Sequence, residues 1–306
     1  MVEVFNFDNC DVIPKFYGGR SCSKICIDVG GMRFLLKMPG KVKVIGDEEG
    51  VGYANTPVSE YLGSLIFRLF GINSHETILG YRNGKLSVGC LDFLEEGDEL
   101  IEFSKIMVAD ENVYFESGGS VVYGDSMDLD VILETIRSNK ILRGNPNIED
   151  FFWKMFIIDA LIGNMDRTNE DWGIIFNRKT GIRLAPVYDN DACLNSDWSV
   201  DSMFRCMERD DLLAIEAYKG KTCKYTLDGK AINPYDIILG GRYDGCNKAL
   251  AELYPKIDLK AILFFMNEVP RKSDIQVEFY KKLLEKRYDI VFKPAYESII
   301  SVYNKK

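Results

Sequence analysis

The sequence predicts an α+β fold of two lobes, a small β-rich one at the N-terminus and a larger, mainly helical one after it. Three observations predict it. Short alternating segments separated by glycine turns crowd residues 25–93, the signature of strands and hairpins. The acidic run EEGDEL at 95–100 then breaks that pattern. From about residue 127 onward, helical periodicity dominates. With 306 residues, 46% of them hydrophobic, the chain can bury one substantial core. The expected division is 1–97 for the N-lobe and 98–306 for the C-lobe, forming one domain overall.

The elements follow in order. YGGRSCSK, residues 17–24, is a glycine-opened turn rich in hydroxyl and thiol side chains, and it leads into the strand ICIDV. Gly30-Gly31 turns that strand back into MRFLLKMPG, which carries Lys37. SEYLGSLIFRLFGI, residues 59–72, has apolar residues at helical spacing, with Ser59 as N-cap and Gly71 as the stop. HETILGYRNGKLSVGCLDFLEEG, residues 75–97, reads as a hairpin around Asn83-Gly84. Residues 101–126 are weakly patterned, with a turn at Gly118-Gly119, and 127–142 are helical. FFWKMFIIDALIG, residues 151–163, is a helix so apolar that it must be buried on all sides. Two short strands, GIIF and IRLAPVY, come next, and GGRYDG at 240–245 is a turn. The segments NKALAELY, LKAILFFMNEV and the run from Gln276 to Tyr303 are helices whose methionine and aromatic stripes belong to the core.

Chemistry concentrates in residues 159–191. The buried helix delivers the chain to an acid-bearing loop at one fixed place, and three acids follow: Asp166, Asp171 and Asp189. Asp166 and Asp171 have the spacing that the catalytic aspartate and metal-binding asparagine have in D-x-x-x-x-N kinases. Asp189 ends the strand pair that follows. Phosphoryl transfer needs one group to orient or deprotonate the attacking hydroxyl, and hard oxygen ligands for a divalent cation on the phosphates. Acids on neighbouring loops supply both.

Gly163, Asn164, Asp166, Arg167, Trp172, Gly173, Ala185, Pro186, Tyr188 and Asp189 stand in register with a pattern that runs roughly G-N-x-D-R-H-x-x-N-W-G, then A-P-x-Y-D. On these residues the chain resembles the HipA-like Ser/Thr protein kinases, and specifically their short, stand-alone members. Two positions depart, Thr168 for the usual histidine and Asp171 for the usual asparagine. The resemblance implies a protein-kinase-like fold that uses ATP and Mg2+ to phosphorylate Ser or Thr of a protein. It gives Asp166 the catalytic role, Asp171 and Asp189 the metal, and Lys37 the nucleotide phosphates. Gly18, Gly19, Arg20, Ser21, Cys22, Ser23 and Lys24 would form the phosphate-covering loop. From their place in that loop, two roles are open to Ser21 and Ser23: self-phosphorylation, which would repel ATP, or service to the turn alone. Cys90, Leu91, Asp92 and Phe93 would meet adenine by their backbone. Two roles are open to Glu60: a carboxylate favoured in the first turn of its helix by the dipole, or the ion-pair partner of Lys37.

Composition excludes several other classes. A net charge of −9 argues against nonspecific nucleic-acid binding, and no apolar run reaches transmembrane length. The N-terminus lacks the basic-then-apolar order of a secretory signal. Eight cysteines without a C-x-x-C pair suit a reduced cytoplasm better than disulfides or zinc. The single histidine, His75, rules against Ser-His-Asp chemistry and is expected in a surface or half-buried loop. Two alternatives to a protein kinase stand: a small-molecule or lipid kinase of the same fold, and a nucleotide-binding pseudokinase or interaction module, which Thr168 and Asp171 favour.

Overall fold

The structure is a computed structural model that describes residues 2–14, 25–43, 51–109, 115–116, 119–120, 126–145, 147–270 and 273–303. Eight strands open the chain: β1 (Val4–Asn6), β2 (Val12–Ile13), β3 (Ile25–Val29), β4 (Met32–Lys37), β5 (Lys41–Lys43), β6 (Val51–Tyr53), β7 (Thr77–Arg82) and β8 (Lys85–Leu91). β5 and β6 form a separate ribbon, and the other six make one sheet in the order β1-β7-β8-β4-β3-β2. Both expected hairpins form. Gly30 and Gly31, with φ of 63° and 85°, join β3 to β4; Asn83 and Gly84, at 50° and 70°, join β7 to β8. Consecutive positive-φ residues match the right-handed twist of the strands they connect, and Gly and Asn reach that region at least cost.

The alternation of β4 places the first functional side chain. Phe34 and Leu36 point into a small core with Phe7 and Ile27. Leu35 packs against the main core, and Lys37, two residues on, shares its face. That face is covered by α1 (Thr56–Leu69), which packs on β7 and β8. The helix starts three residues before the expected Ser59. Pro57 lies in the first turn, where its fixed φ and missing N–H cost nothing, while Ser59 is wholly buried inside the helix. Glu60 is therefore past the first turn, which removes the dipole reading for it. Gly71, at φ 77°, follows the helix end.

The mainly helical C-terminal region is built around one buried helix. Its elements are β9 (Asp98–Glu102), α2 (Phe103–Ala109), β10 (Phe115–Glu116), β11 (Gly119–Ser120), α3 (Leu129–Ser138), α4 (Ile148–Ile162), β12 (Gly173–Asn177), β13 (Gly181–Leu184), α5 (Val200–Met207), α6 (Asp210–Ala214), β14 (Thr226–Leu227), β15 (Lys230–Ala231), α7 (Pro234–Gly240), α8 (Asp244–Leu253), α9 (Leu259–Glu268), α10 (Asp274–Arg287) and α11 (Lys293–Tyr303). α4 is buried nearly all round, against α1, α3, α7, α8 and α10. β9 pairs with β12, so the second half of the acidic run EEGDEL, expected to break the strand pattern, is itself strand and joins the sheet β13-β12-β9 beside the acid-bearing loops. Gly173 is required there, because a Cβ would lie 2.1 Å from the Ile101 carbonyl oxygen. Trp172 stacks on Phe103 with ring centroids 4.1 Å apart, which fixes the start of β12 from below. The Gly118-Gly119 turn lies partly outside the described residues. Among those described, no helix is long and apolar enough to cross a membrane.

Candidate active site

Lys37 of β4 bridges α1 and the Asp189 loop. Its Nζ donates to Glu60 Oε2 from α1, to Asp189 Oδ1 at 2.5 Å and to Asp191 Oδ2 at 3.5 Å, and only 11% of its side chain is exposed. Burial pulls the ammonium down, and the Glu60, Asp189 and Asp191 carboxylates more than reverse this, so Lys37 stays charged. Burial pushes the Glu60 carboxyl up, but Lys37 and then His75 outweigh it and hold Glu60 ionised. Every oxygen of Glu60 is committed. Oε1 accepts from His75 Nε2 at 2.9 Å and from the Asn190 backbone N–H at 2.9 Å. Of the two roles open to Glu60, the structure supports the ion pair. His75 is buried against Glu60 and is no surface loop residue. A buried carboxylate needs a donor on each lone pair, and a histidine in the turn before β7 supplies one.

The acid-bearing loop is anchored from behind. α4 ends at Gly163, whose φ of 72° lets the chain turn, and whose bare Cα admits the Arg287 guanidinium, 2.7 Å from where a Cβ would sit. Arg287 Nη1 donates to the Leu161 carbonyl at 3.1 Å and so caps the helix. Asp159, the one charge on the buried faces of α4, accepts two bonds from Arg167, at 2.8 and 2.9 Å, and one from Asn164 Nδ2 at 3.0 Å. The same guanidinium donates to Asn190 Oδ1 at 2.6 Å, to the Tyr188 carbonyl and to the Asp189 carbonyl at 3.2 Å. Arg167 thus locks the Asp166 loop to the Asp189 loop. Asp166, next to it, points the other way and is 66% exposed, with its Oδ1 3.0 Å from Lys224 Nζ.

The two departures from the family pattern bond to each other. Asp171 Oδ2 accepts from the Thr168 N–H at 2.7 Å and from the Thr168 hydroxyl at 2.8 Å. Thr168 thereby braces the turn. Burial and the nearby Asp189 raise the Asp171 carboxyl above its ordinary value. Asp189 itself sits in the left-handed region at φ 59°, which a short acidic side chain tolerates better than most. Gly63 of α1 lets this loop approach, since a Cβ there would lie 2.7 Å from Asn190 Cβ.

Glu60, Asp189 and Asp191 bring carboxylate oxygens within 4.8 Å of one another, a hard-oxygen set suited to Mg2+ or a similar cation. Because Glu60 is committed to Lys37, His75 and Asn190, the members with oxygens left for a cation would be Asp189 and Asp191, both partly exposed. Burial first, and then the Glu60 and Asp189 charges, push Asp191 up to about 6 against the pull of Lys37. An unfolded Asp titrates near about 3.9, so the folded chain holds this proton more tightly. The contribution to stability is full below that value and is lost as pH rises through about 6. In metal-free buffer, Asp191→Asn should therefore be more stable than the parent at pH 7.5, by about 1–2 kcal/mol after allowance for solvent screening. The gap should close by pH 4. Urea midpoints at the two pH values check this.

The candidate adenine-facing residues end β8. The Leu91 N–H donates to the Glu76 carbonyl at 2.8 Å, the Asp92 N–H donates to the Arg33 carbonyl at 2.9 Å, and the Asp92 carboxylate pairs with the Arg33 guanidinium at 3.6 Å. Cys90 is buried beside Glu60 and His75, where burial raises its thiol well above the ordinary value. Phe93 is brought furthest toward the acid-bearing loops, with its ring 5.9 Å from that of Tyr188. Gly18, Gly19, Arg20, Ser21, Cys22, Ser23 and Lys24, the candidate phosphate loop, lie outside the described residues.

Sequence reasoning missed four residues of this arrangement. Asp191 stands two residues from Asp189, at the end of the segment 159–191. Asp159 was legible as the one acid within the apolar run FFWKMFIIDALIG, where a buried carboxylate demands a partner. Asn190 carries no such signal. Lys224, distant in the chain, could be placed only by the fold.

No protein-family model matches the chain. It is 27% identical over 304 residues to the serine/threonine-protein kinase CtkA of Helicobacter pylori strain J99, covering 98% of this chain and 90% of the relative. The crystal structure of an H. pylori proinflammatory kinase CtkA superposes with a TM-score of 0.87 over 98% of this chain and 99% of the other, again at 27% identity. HipA from Shewanella oneidensis, solved with HipB and operator DNA, gives a TM-score of 0.54 at 11% identity over 86% of this chain and 60% of its own, a likeness of fold.

Proposed function

We infer that this chain is a HipA-like Ser/Thr protein kinase, similar to CtkA along nearly its whole length, and that it transfers the γ-phosphoryl group of ATP to a Ser or Thr hydroxyl of a protein. The observation that carries this reading is Lys37 held between Glu60 of α1 and Asp189. A strand lysine fixed by a helix glutamate beside a metal-loop aspartate is the arrangement that phosphoryl transfer requires of a kinase. The residues present fit ATP and Mg2+: one fixed ammonium for phosphate oxygens, and hard carboxylates at Asp189 and Asp191 for the cation, with Asp171 close enough to feel the Asp189 charge. The cation would neutralise charge on the phosphates.

Asp166 accepts the acceptor proton as that oxygen bonds to the γ-phosphorus. The bond from phosphorus to the β,γ-bridging oxygen breaks, and its electron pair leaves with ADP. Arg167 keeps the two acid-bearing loops in one geometry, so that Asp166 and Asp189 address the same phosphate. Phe93 and the loop after it would border adenine, and residues 1–97 and 98–306 would be the two lobes.

The Thr168–Asp171 bond supports an active enzyme over a pseudokinase, because the two departures compensate each other within one turn. Asp171→Asn keeps an oxygen ligand and removes a charge. It should retain turnover while needing about tenfold more Mg2+, close to 1.4 kcal/mol of cation binding. Asp171→Ala removes both the ligand and the acceptor for Thr168, and should lose far more. Magnesium titrations of ATP-dependent peptide phosphorylation test this. Identical curves for the parent and both variants would take Asp171 out of the metal site.

A further inference from the structure

A cavity of about 520 Å³ opens beside Asp166, lined among others by Asp191, Asp197, Thr222, Cys223 and Lys224. Of the described residues around it, Lys224 is the one basic side chain. The catalytic loop's own cation does not serve this space, since Arg167 is turned inward and saturated by Asp159, Asn190 and backbone carbonyls. Lys37 belongs to the Glu60 and Asp189 side.

Lys224 is held firmly for an exposed residue. The Cys223 N–H donates to the Ile232 carbonyl at 3.0 Å, and the Ile232 N–H donates to the Tyr225 carbonyl at 3.2 Å. Tyr225 is buried between Phe152 and Phe156, with ring centroids 5.7 Å from each. With its neighbour on one side fixed to the backbone and on the other sunk in the core, Lys224 must project outward. Its Nζ reaches Asp166 Oδ1. The cavity wall is secured further back by Glu216, which accepts from Asn195 Nδ2 at 2.5 Å and pairs with Lys221.

We propose that Lys224 is a further catalytic residue: its ammonium lies where it meets the phosphoryl group as that group passes from ATP to the hydroxyl held by Asp166. The proposal rests on the kinase reading above. In the transfer the acceptor O–H proton goes to Asp166, the new oxygen–phosphorus bond forms, and the bridging pair departs with ADP. Lys224 gains and loses no proton; it balances negative charge on the equatorial oxygens. The carboxylate of Asp166 has a second oxygen for the acceptor, so Lys224 and the acceptor can share it.

The test uses the full chain, MgADP, and aluminium fluoride as a mimic of the transferring phosphoryl group. Aluminium fluoride should tighten MgADP binding to the parent, as transition-state mimics do. Lys224→Met should lose that gain by about tenfold or more, with affinity for MgADP alone unchanged. Lys224→Arg should keep most of the gain. With a Ser peptide and saturating ATP, Lys224→Met should lower kcat by about 10²-fold. Lys224 is 53% exposed, so both variants should fold as the parent does. An equal aluminium fluoride gain in parent and Lys224→Met would overturn the role of Lys224 and leave the kinase reading standing, and no gain in the parent overturns it as well. A parent that fails to bind MgADP at all would overturn both.

Discussion

Asp166→Asn should reduce kcat by about 10²–10⁴-fold, the span that a positioned general base contributes, while the protein folds normally and still binds nucleotide. The side chain is mostly exposed, and its partner Lys224 is also half in water, so their ion pair contributes little to stability. Asparagine keeps the shape and one oxygen, but it cannot take a proton at neutral pH. What it removes is the acceptor for the hydroxyl proton. Thermal melting and ATP affinity within error of the parent, beside lost peptide phosphorylation, is the expected pattern. A variant with parental kcat would remove Asp166 from the reaction.

The second large effect should be on the fold. Arg167→Met removes a buried guanidinium that serves Asp159, Asn190 and the backbone of the Asp189 loop. It leaves the Asp159 carboxylate buried with only the Asn164 amide beside it, and breaking a buried pair in this way costs about 3–5 kcal/mol. Urea denaturation should show that loss, and any folded fraction should have little activity, because the two acid-bearing loops are no longer tied. Asp159→Asn together with Arg167→Met should recover part of the stability without activity, since no uncompensated charge then remains inside α4. Wild-type stability in Arg167→Met would show that the clamp does not hold the site together.

Much of the fold was legible because local rules and tertiary packing agree. Gly30-Gly31 and Asn83-Gly84 turn the chain by residue chemistry alone, and α4 is so apolar that only a core can hold it. The start of α1 was misread because Ser59 is a good cap in isolation, while Pro57 and burial against the Asn190 loop set the real boundary. His75 was misread for a related reason: a polar residue in a short connection is usually solvated, and only the fold reveals a carboxylate waiting for it. In the site, Asp166, Asp171 and Asp189 were visible because phosphoryl transfer constrains their spacing along one segment. Asp191 and Lys224 are brought beside Lys37 and Asp166 by loop geometry, which leaves no periodic trace. Lys37 carries no mark of burial in MRFLLKMPG, yet the alternation of β4 places it under α1 among three carboxylates.

Incubating the purified chain with MgATP and a randomised Ser/Thr peptide pool, with ADP and phosphopeptides quantified together by mass spectrometry, decides whether the chain is a Ser/Thr protein kinase. The expected result is one Ser or Thr phosphoester formed for each ADP, dependent on Mg2+ and absent with Asp166→Asn. Stoichiometric release of inorganic phosphate instead, or phosphopeptide formation undiminished in Asp166→Asn, would contradict a Ser/Thr protein kinase working through the Lys37, Asp166 and Asp189 site.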